Sequence, residues 1–295
     1  MKIGIYSRIL KTQDIPFLQK LLDTLFDSHC SVHIYEPFYQ QLYGQVKFKR
    51  TIRLFNDNDN LREQIDYLFS IGGDGTLLNT ITLVKDSKTP VVGINSGRLG
   101  LLTTANKNDD IKELLYDLKY KRYTLDKRTL LHLDSEPTLF ENTPYALNEF
   151  TIHKHATSAL ITVHIYVNDV FLNSYWADGI IVATPTGSTA YSLSCGGPII
   201  YPSSKTFVIT PVAPHNLNVR PVVVPDHLPI TLEVEGRDRS YLLTLDGHSR
   251  QIKQGEKVTI TKAVFMINVV KFEDNNFLDT IRNKMFWGSD TRNEI

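Results

Sequence analysis

Ile65-Asp66-Tyr67-Leu68-Phe69-Ser70-Ile71 runs directly into Gly72-Gly73-Asp74-Gly75-Thr76, and Leu77 to Val84 follow with apolar residues at helical spacing. The apolar run predicts a buried strand, and the glycines mark its turn into a helix. Strand, glycine loop and helix in that order form part of a parallel βαβ pattern. Upstream, Lys2 to Tyr6 reads as a strand and Ile15 to Phe26 as an amphipathic helix with Phe17, Leu18, Leu21, Leu22, Leu25 and Phe26 on one face. Ser31 to Tyr35 is a second strand, while Pro37 to Asn60 has no clear period and reads as a loop or insertion. Downstream, Val91 to Ile94 is a short buried strand after Pro90, and Ile111 to Leu118 is an amphipathic helix. The expectation for residues 1–125 is a doubly wound α/β domain carrying the glycine loop.

From about Tyr123 the pattern changes. Thr129 to Leu133, Ala159 to Val167, Val170 to Tyr175, Gly179 to Ala183, Ile230 to Val234, Tyr241 to Leu245 and Lys257 to Val264 all suit strands. Turn pairs Asn168-Asp169, Asp246-Gly247 and Gly255-Glu256 join them. Residues 126–270 are therefore expected to be β-rich and β-sandwich-like. Within a C-terminal segment, 271–295, Phe277 to Trp287 is amphipathic and is expected to return to the first domain. The fold class is α/β plus all-β.

The chain has 295 residues, 42% of them hydrophobic and 22% charged, enough to bury a real core. Lys plus Arg number 32 and Asp plus Glu number 32. That balance argues against a nucleic-acid coat or a polybasic membrane surface, each of which needs a strong positive field. Cys30 and Cys195 offer neither a disulfide framework nor a zinc pattern. Met1-Lys2 leads straight into a strand-like alternation rather than a signal segment, and no apolar run approaches the roughly 18 residues of a membrane span. The expected location is the cytoplasm.

Asp74 sets the glycine loop apart from a Walker loop, which carries a Lys. A carboxylate beside a polyphosphate is repelled unless it binds a cation or takes a proton from an attacking hydroxyl, and both uses belong to phosphoryl transfer. A tight turn with Asp74 capping the helix is an equal alternative at this point. The second feature is Asp178-Gly179, a buried strand, and then Thr184-Pro185-Thr186-Gly187-Ser188-Thr189-Ala190-Tyr191-Ser192-Leu193-Ser194-Cys195-Gly196-Gly197-Pro198. Hydroxyls and free N–H groups bind polar ligand edges without adding charge, and small side chains permit close approach. Asn148-Glu149 joins an amide to an acid, suited to a ribose or carboxamide. Asn95-Ser96-Gly97-Arg98-Leu99-Gly100 reads as another ligand-facing loop, with Arg98 more often a solvated charge. Pro211-Val212-Ala213-Pro214-His215 leads to Arg220-Pro221, and Leu245-Asp246-Gly247-His248 sits at a hairpin turn.

In this order, over residues 66–250, the segments resemble the NAD kinase family: GGDGT, an N-x-G-x-L-G loop, NE, DG, TPTGSTAYS-x-S-x-GGP, PH-x-L-x-x-RP and DG. GGDGT is shared with lipid kinases and phosphofructokinases; the TPTGSTAYS block is the specific part. The resemblance implies transfer of the γ-phosphoryl group of ATP to the 2′-hydroxyl of the adenosine ribose of NAD, with Asp74 as general base and Gly75 beside it. It implies that Asn148 and Glu149 hold the nicotinamide-ribose end and that Asp178 meets the nicotinamide region. By the same resemblance Thr189, Ala190, Tyr191, Ser192, Leu193 and Ser194 line the NAD pocket, Ala213 faces the nucleotide and His248 lies near the ligand. A divalent cation, Mg²⁺, is expected on the ATP phosphates, held by nucleotide and water, with no protein metal site. A homo-oligomer, dimer or tetramer, is implied. Three positions depart from the family pattern. Trp176 and Asn79 stand where a basic residue is frequent, and Leu101 stands where Phe is usual. A lipid or sugar kinase, a non-catalytic NAD(P)-binding sensor and a dehydrogenase are the competing classes; Ile5-Tyr6-Ser7-Arg8-Ile9 lacks the dehydrogenase glycine loop.

Overall fold

The structure is a computed structural model that describes residues 1–57, 60–97, 100–136, 138–140, 143–155, 159–237, 240–272 and 276–285. In chain order the first elements are β1 (Lys2–Tyr6), α1 (Ile15–Asp27), β2 (Ser31–Tyr35), α2 (Glu36–Leu42), β3 (Arg53–Phe55), α3 (Leu61–Gln64), β4 (Tyr67–Ile71), α4 (Asp74–Leu78), α5 (Ile81–Val84), β5 (Val91–Asn95), β6 (Ala105–Asn106) and α6 (Ile111–Tyr120). Then come β7 (Thr124–Ser135), β8 (Tyr145–Ala146), β9 (Glu149–Lys154), β10 (Ile161–Val167), β11 (Val170–Ala177), β12 (Gly179–Ala183), α7 (Tyr191–Ser194), β13 (Thr206–Val212), β14 (Val222–Pro225), β15 (Ile230–Glu235), β16 (Ser240–Leu245), β17 (His248–Lys253), β18 (Lys257–Lys271) and α8 (Phe277–Lys284). Two compact units result: Met1–Lys127 together with the chain from Ile267 on, and Arg128–Met266.

The first unit is built on parallel strands in the order β5-β4-β1-β2-β3, with Val269 of β18 paired in parallel to Val91 of β5. This is the doubly wound sheet expected from the alternation. Strand β4 is buried along its whole length, as its apolar run predicts. Helix α1 covers the sheet with Leu18, Leu21, Leu22, Leu25 and Phe26, all in one core with Ile3, Ile5, Val32 and Phe69. Two expectations fail here. Residues 37–60 are not featureless: Pro37 sits in the first turn of α2, where it costs no hydrogen bond, and Phe38 and Leu42, four apart, bury against the core. Leu77 to Val84 is also not one helix. Asn79 turns its amide back on the Gly75 carbonyl and the Thr80 hydroxyl donates to the Leu77 carbonyl, so the chain breaks between α4 and α5. In the C-terminal segment, α8 is capped by the Asn276 side chain and buries Ile281. Trp287 lies outside the described residues.

The second unit holds antiparallel strands in the order β11-β10-β15-β18 and a six-stranded antiparallel sheet in the order β14-β13-β12-β9-β16-β17. Alternate residues of both sets meet in one core: Val163 and Ile165 of β10, Leu232 and Val234 of β15, Phe150 and Ile152 of β9, Ile180 and Val182 of β12, and Tyr241 and Leu243 of β16. That period-2 burial makes a β-sandwich. Asn168 and Asp169 both take positive φ, as do Asp246 and Gly247, which is the two-residue hairpin geometry their sequences call for. Strand β12 is buried on its other face as well, where Ile181 and Ala183 pack with Ile200 and Val208.

Candidate active site

Strands β1 and β4 are neighbours in the first unit, and the winding reverses between them. Their carboxyl ends are therefore the place where an open α/β sheet binds ligands. A cavity of about 120 Å³ lies there, lined by Ser7, Arg8, Lys11, Gly72, Gly73 and Thr76 among others. A larger one, of about 510 Å³, opens beside Met1, Asp66 and Pro90, which precede β1, β4 and β5, away from the glycine loop. Gly72 has φ +150°, and a Cβ there would collide with the Thr76 side chain. The loop is thus tight enough to require glycine.

Asp74 is the first residue of α4; the cap position is Gly73, without a side-chain cap bond. The helix-capping reading does not hold. The carboxylate turns instead to the segment after β5. Oδ2 accepts from the Leu101 N–H at 2.7 Å, and Oδ1 accepts from the N–H groups of Leu102 at 3.1 Å and Thr103 at 3.2 Å, with the Thr103 hydroxyl at 3.4 Å. Thr103 is itself fixed, because its hydroxyl oxygen accepts from Asn95 Nδ2 at 3.1 Å and from the Gly100 N–H at 3.0 Å. A Cβ on Gly100 would overlap the Asp74 carboxylate. Asn95 further closes its own turn by accepting from the Gly97 N–H. Asn95 and Gly100 thus serve the acid; Arg98 and Leu99 lie outside the described residues.

In the second unit the polar residues gather at both ends of β12. At its carboxyl end, Asp246 accepts from the N–H groups of Leu147, Asn148 and Glu149 at 2.6, 2.9 and 3.0 Å. Read from the sequence only as a turn residue, Asp246 is the clamp that shapes the Asn148-Glu149 corner. Burial pushes its carboxyl up to about 6 against those three donors. Glu149 stands beside it. Burial first, and then the charge of Asp246, raise the Glu149 carboxyl to about 7, while the Tyr191 N–H pulls the other way. Its Oε2 is buried without a hydrogen-bond partner. His248 opens β17 on the same corner and is exposed.

At the amino end of β12, Lys154 reaches Asp178 at 2.5 Å, and the Lys154 N–H donates to the Asp178 carbonyl. A cation thus meets this acid from β9, whereas Trp176 leans on His215 in a tilted contact, ring centroids 5.1 Å apart and planes at 47°. Ala213 is held at φ +45°, a strained value for a residue with a Cβ. Tyr191 spans the two ends: its N–H meets Glu149, and its half-exposed ring stacks on His153 at 5.6 Å and 24°.

The hydroxyls of the 184–194 block divide into two sets. Thr184 donates to the Leu147 carbonyl, Ser188 to the Pro185 carbonyl, and Ser192 pairs with Thr210; all three are fully buried. They shape the loop from inside, so Ser192 contributes backbone rather than hydroxyl to any pocket. Thr189, Ala190 and Leu193 are partly exposed, and Tyr191 and Ser194 are exposed. Gly187 is needed where a Cβ would overlap the Asn148 backbone.

Family models for the ATP-NAD kinase N-terminal domain and C-terminal domain match residues 3–123 and 147–272. The chain belongs to the NAD kinase family. With that membership goes the activity of an ATP-dependent phosphotransferase acting on NAD. NAD kinases of Flavobacterium psychrophilum and Cytophaga hutchinsonii are 42% and 41% identical to it, each over 99% of this chain and 100% of the relative. Among solved structures, yeast NADH kinase complexed with NADH matches with a TM-score of 0.86 at 24% identity, over 99% of this chain and 89% of that one. An NAD kinase from Archaeoglobus fulgidus in complex with ATP matches with a TM-score of 0.72 at 24% identity, covering 97% of this chain and 99% of that one. At that identity the two structures speak for the fold, which is the NAD kinase fold.

Proposed function

We propose that this NAD kinase transfers the γ-phosphoryl group of ATP to the 2′-hydroxyl of the adenosine ribose of NAD, with Asp74 as the general base. The fixed Asp74 carboxylate carries the reading. Oδ1 is occupied by Leu102 and Thr103, whereas Oδ2 takes one N–H and keeps a free lone pair, on a side chain 30% exposed. That oxygen accepts the hydroxyl proton as the oxygen attacks the phosphorus. Gly75 follows it in α4, without a side chain to obstruct the sugar.

Glu149 Oε2, buried and unpartnered, accepts a ribose hydroxyl of NAD, and Asn148 beside it supplies amide donors and acceptors. Tyr191 offers its ring to a base, with Thr189, Ala190, Ser192, Leu193 and Ser194 around it. Asp178, Ala213 and His248 complete the NAD contacts. Among the described residues no three His, Cys, Asp or Glu side chains gather to ligate an ion. The divalent cation, Mg²⁺, is expected to be held by the ATP phosphates and water, where it would neutralise their charge, with Asp74 close enough to assist. In this reading the β-rich domain, 126–270, holds NAD, and the enzyme works in the cytoplasm as a dimer or tetramer.

Incubating the purified protein with NAD, ATP and Mg²⁺ is expected to yield NADP, and chelation with EDTA to abolish turnover while NAD still binds. NADP formation undiminished by EDTA, or phosphorylation of a lipid or sugar in preference to NAD, would defeat the reading.

The raised Glu149 carboxyl gives NAD binding a pH dependence with a definite sign. A ribose hydroxyl donates to the ionised form, so binding below about pH 7 expels a proton. The Kd for NAD is expected to rise up to about tenfold per pH unit below 7 and to level off above it. Glu149→Gln binds more weakly and without that slope. Isothermal titration between pH 6 and 8 measures both; a flat wild-type profile contradicts the role.

A further inference from the structure

From the last turn of α8, Lys284 brings its Nζ to 3.9 Å from Asp74 Oδ2, the oxygen with the free lone pair. Nothing in the glycine loop supplies a cation: Gly72, Gly73, Gly75 and Thr76 are neutral, and Asn79 spends its amide on the Gly75 carbonyl. The helix that carries Lys284 is fastened by its Asn276 cap and by Ile281, buried one turn earlier. In the same last turn, Arg282 is already paired, with Asp279 one turn earlier on the surface. Lys284 is about one-third exposed and its ammonium is not spent in a close ion pair.

We infer that Lys284 is a phosphoryl-binding cation of this enzyme, delivered by the C-terminal helix rather than by the glycine loop. This rests on Asp74 being the base. A base within hydrogen-bond reach of the attacking hydroxyl, about 3 Å, places that hydroxyl's target phosphorus one bond further on. An ammonium beside the same carboxylate oxygen is then within reach of the non-bridging oxygens of the group in flight. The flexible four-carbon stem lets it follow the charge as it moves from donor to acceptor. Its attraction is strongest where the phosphoryl is least bonded, so it lowers the barrier more than it tightens binding.

The test compares Lys284→Met, Lys284→Arg, Lys284→Ala and Asp74→Asn in the full-length enzyme. Lys284→Met is expected to lower kcat by about 10²–10³, with the KM for NAD within about threefold and the thermal midpoint unchanged. Lys284→Arg is expected to keep more than a tenth of wild-type turnover, and Lys284→Ala to regain activity as ethylammonium is added. If Lys284→Met turns over within threefold of wild type while Asp74→Asn is crippled, the inference fails and the base assignment stands. If Asp74→Asn retains turnover, the base assignment fails first. Equal losses in the Met and Arg variants, with no response of Lys284→Ala to ethylammonium, also overturn the role.

Discussion

Asp74→Asn is expected to lower kcat by about 10²–10⁴, the range for loss of a general base, with NAD affinity within threefold of wild type. The carboxamide is nearly isosteric. Its oxygen still accepts from Leu102 and Thr103, and the cost falls on one contact, where the amide NH₂ meets the Leu101 N–H. The fold should therefore survive, since that contact lies on a side chain open to solvent. Chemistry is lost because an amide oxygen at neutral pH takes up no proton from an alcohol. Steady-state kinetics together with calorimetric NAD titration separate the two effects. Near-wild-type kcat refutes the assignment, and a loss of NAD binding that matches the loss of rate makes Asp74 a binding residue instead.

Asp246→Ala is expected to lower stability by about 3–5 kcal/mol and NAD affinity by more than tenfold. The variant leaves the N–H groups of Leu147, Asn148 and Glu149 without their acceptor in a closed site, at about 1–3 kcal/mol each, partly offset by no longer burying a carboxylate. At about 2–4 °C per kcal/mol, the thermal midpoint falls by about 6–20 °C. The pH dependence follows from the raised carboxyl. Between about pH 4 and 6 the folded form holds a proton that the unfolded chain has released, so this group's share of the stability declines as pH rises through that window. The variant loses that decline. Scanning calorimetry from pH 4 to 8 checks both statements; a midpoint within 2 °C of wild type would show that the backbone corner stands without its clamp.

The sequence made the first sheet legible because β1, β2, β4 and β5 are short, mostly apolar stretches, and stretches of that kind suit the buried middle of a parallel sheet. The hairpins were legible because Asn168-Asp169 and Asp246-Gly247 state their backbone conformation in their side chains. The stretch 37–60 was not, because α2 buries only Phe38 and Leu42, too few positions for a period to emerge from sequence. Asp74 stood out as an acid among glycines, but what restrains it did not. Leu101 and Leu102 act through N–H groups that every residue has, and Thr103 is an ordinary threonine until its three hydrogen bonds are seen. Asp246 was hidden for a different reason: as a turn signal it already had a sufficient explanation. Lys154 and Lys284 lie 24 and 210 residues from the acids they approach, and no local pattern links such pairs.

The four donors on Asp74 leave the carboxylate no freedom to spin about its Cβ–Cγ bond. A group that cannot turn receives a hydrogen from one direction, at one oxygen. If Asp74 is the base, as proposed, only the sugar hydroxyl arriving along that line is deprotonated, and the hydroxyl on the adjacent carbon stays idle. With Asp74 as the proposed base, regioselectivity in the product would be set by the three backbone amides and the threonine hydroxyl that hold its carboxylate.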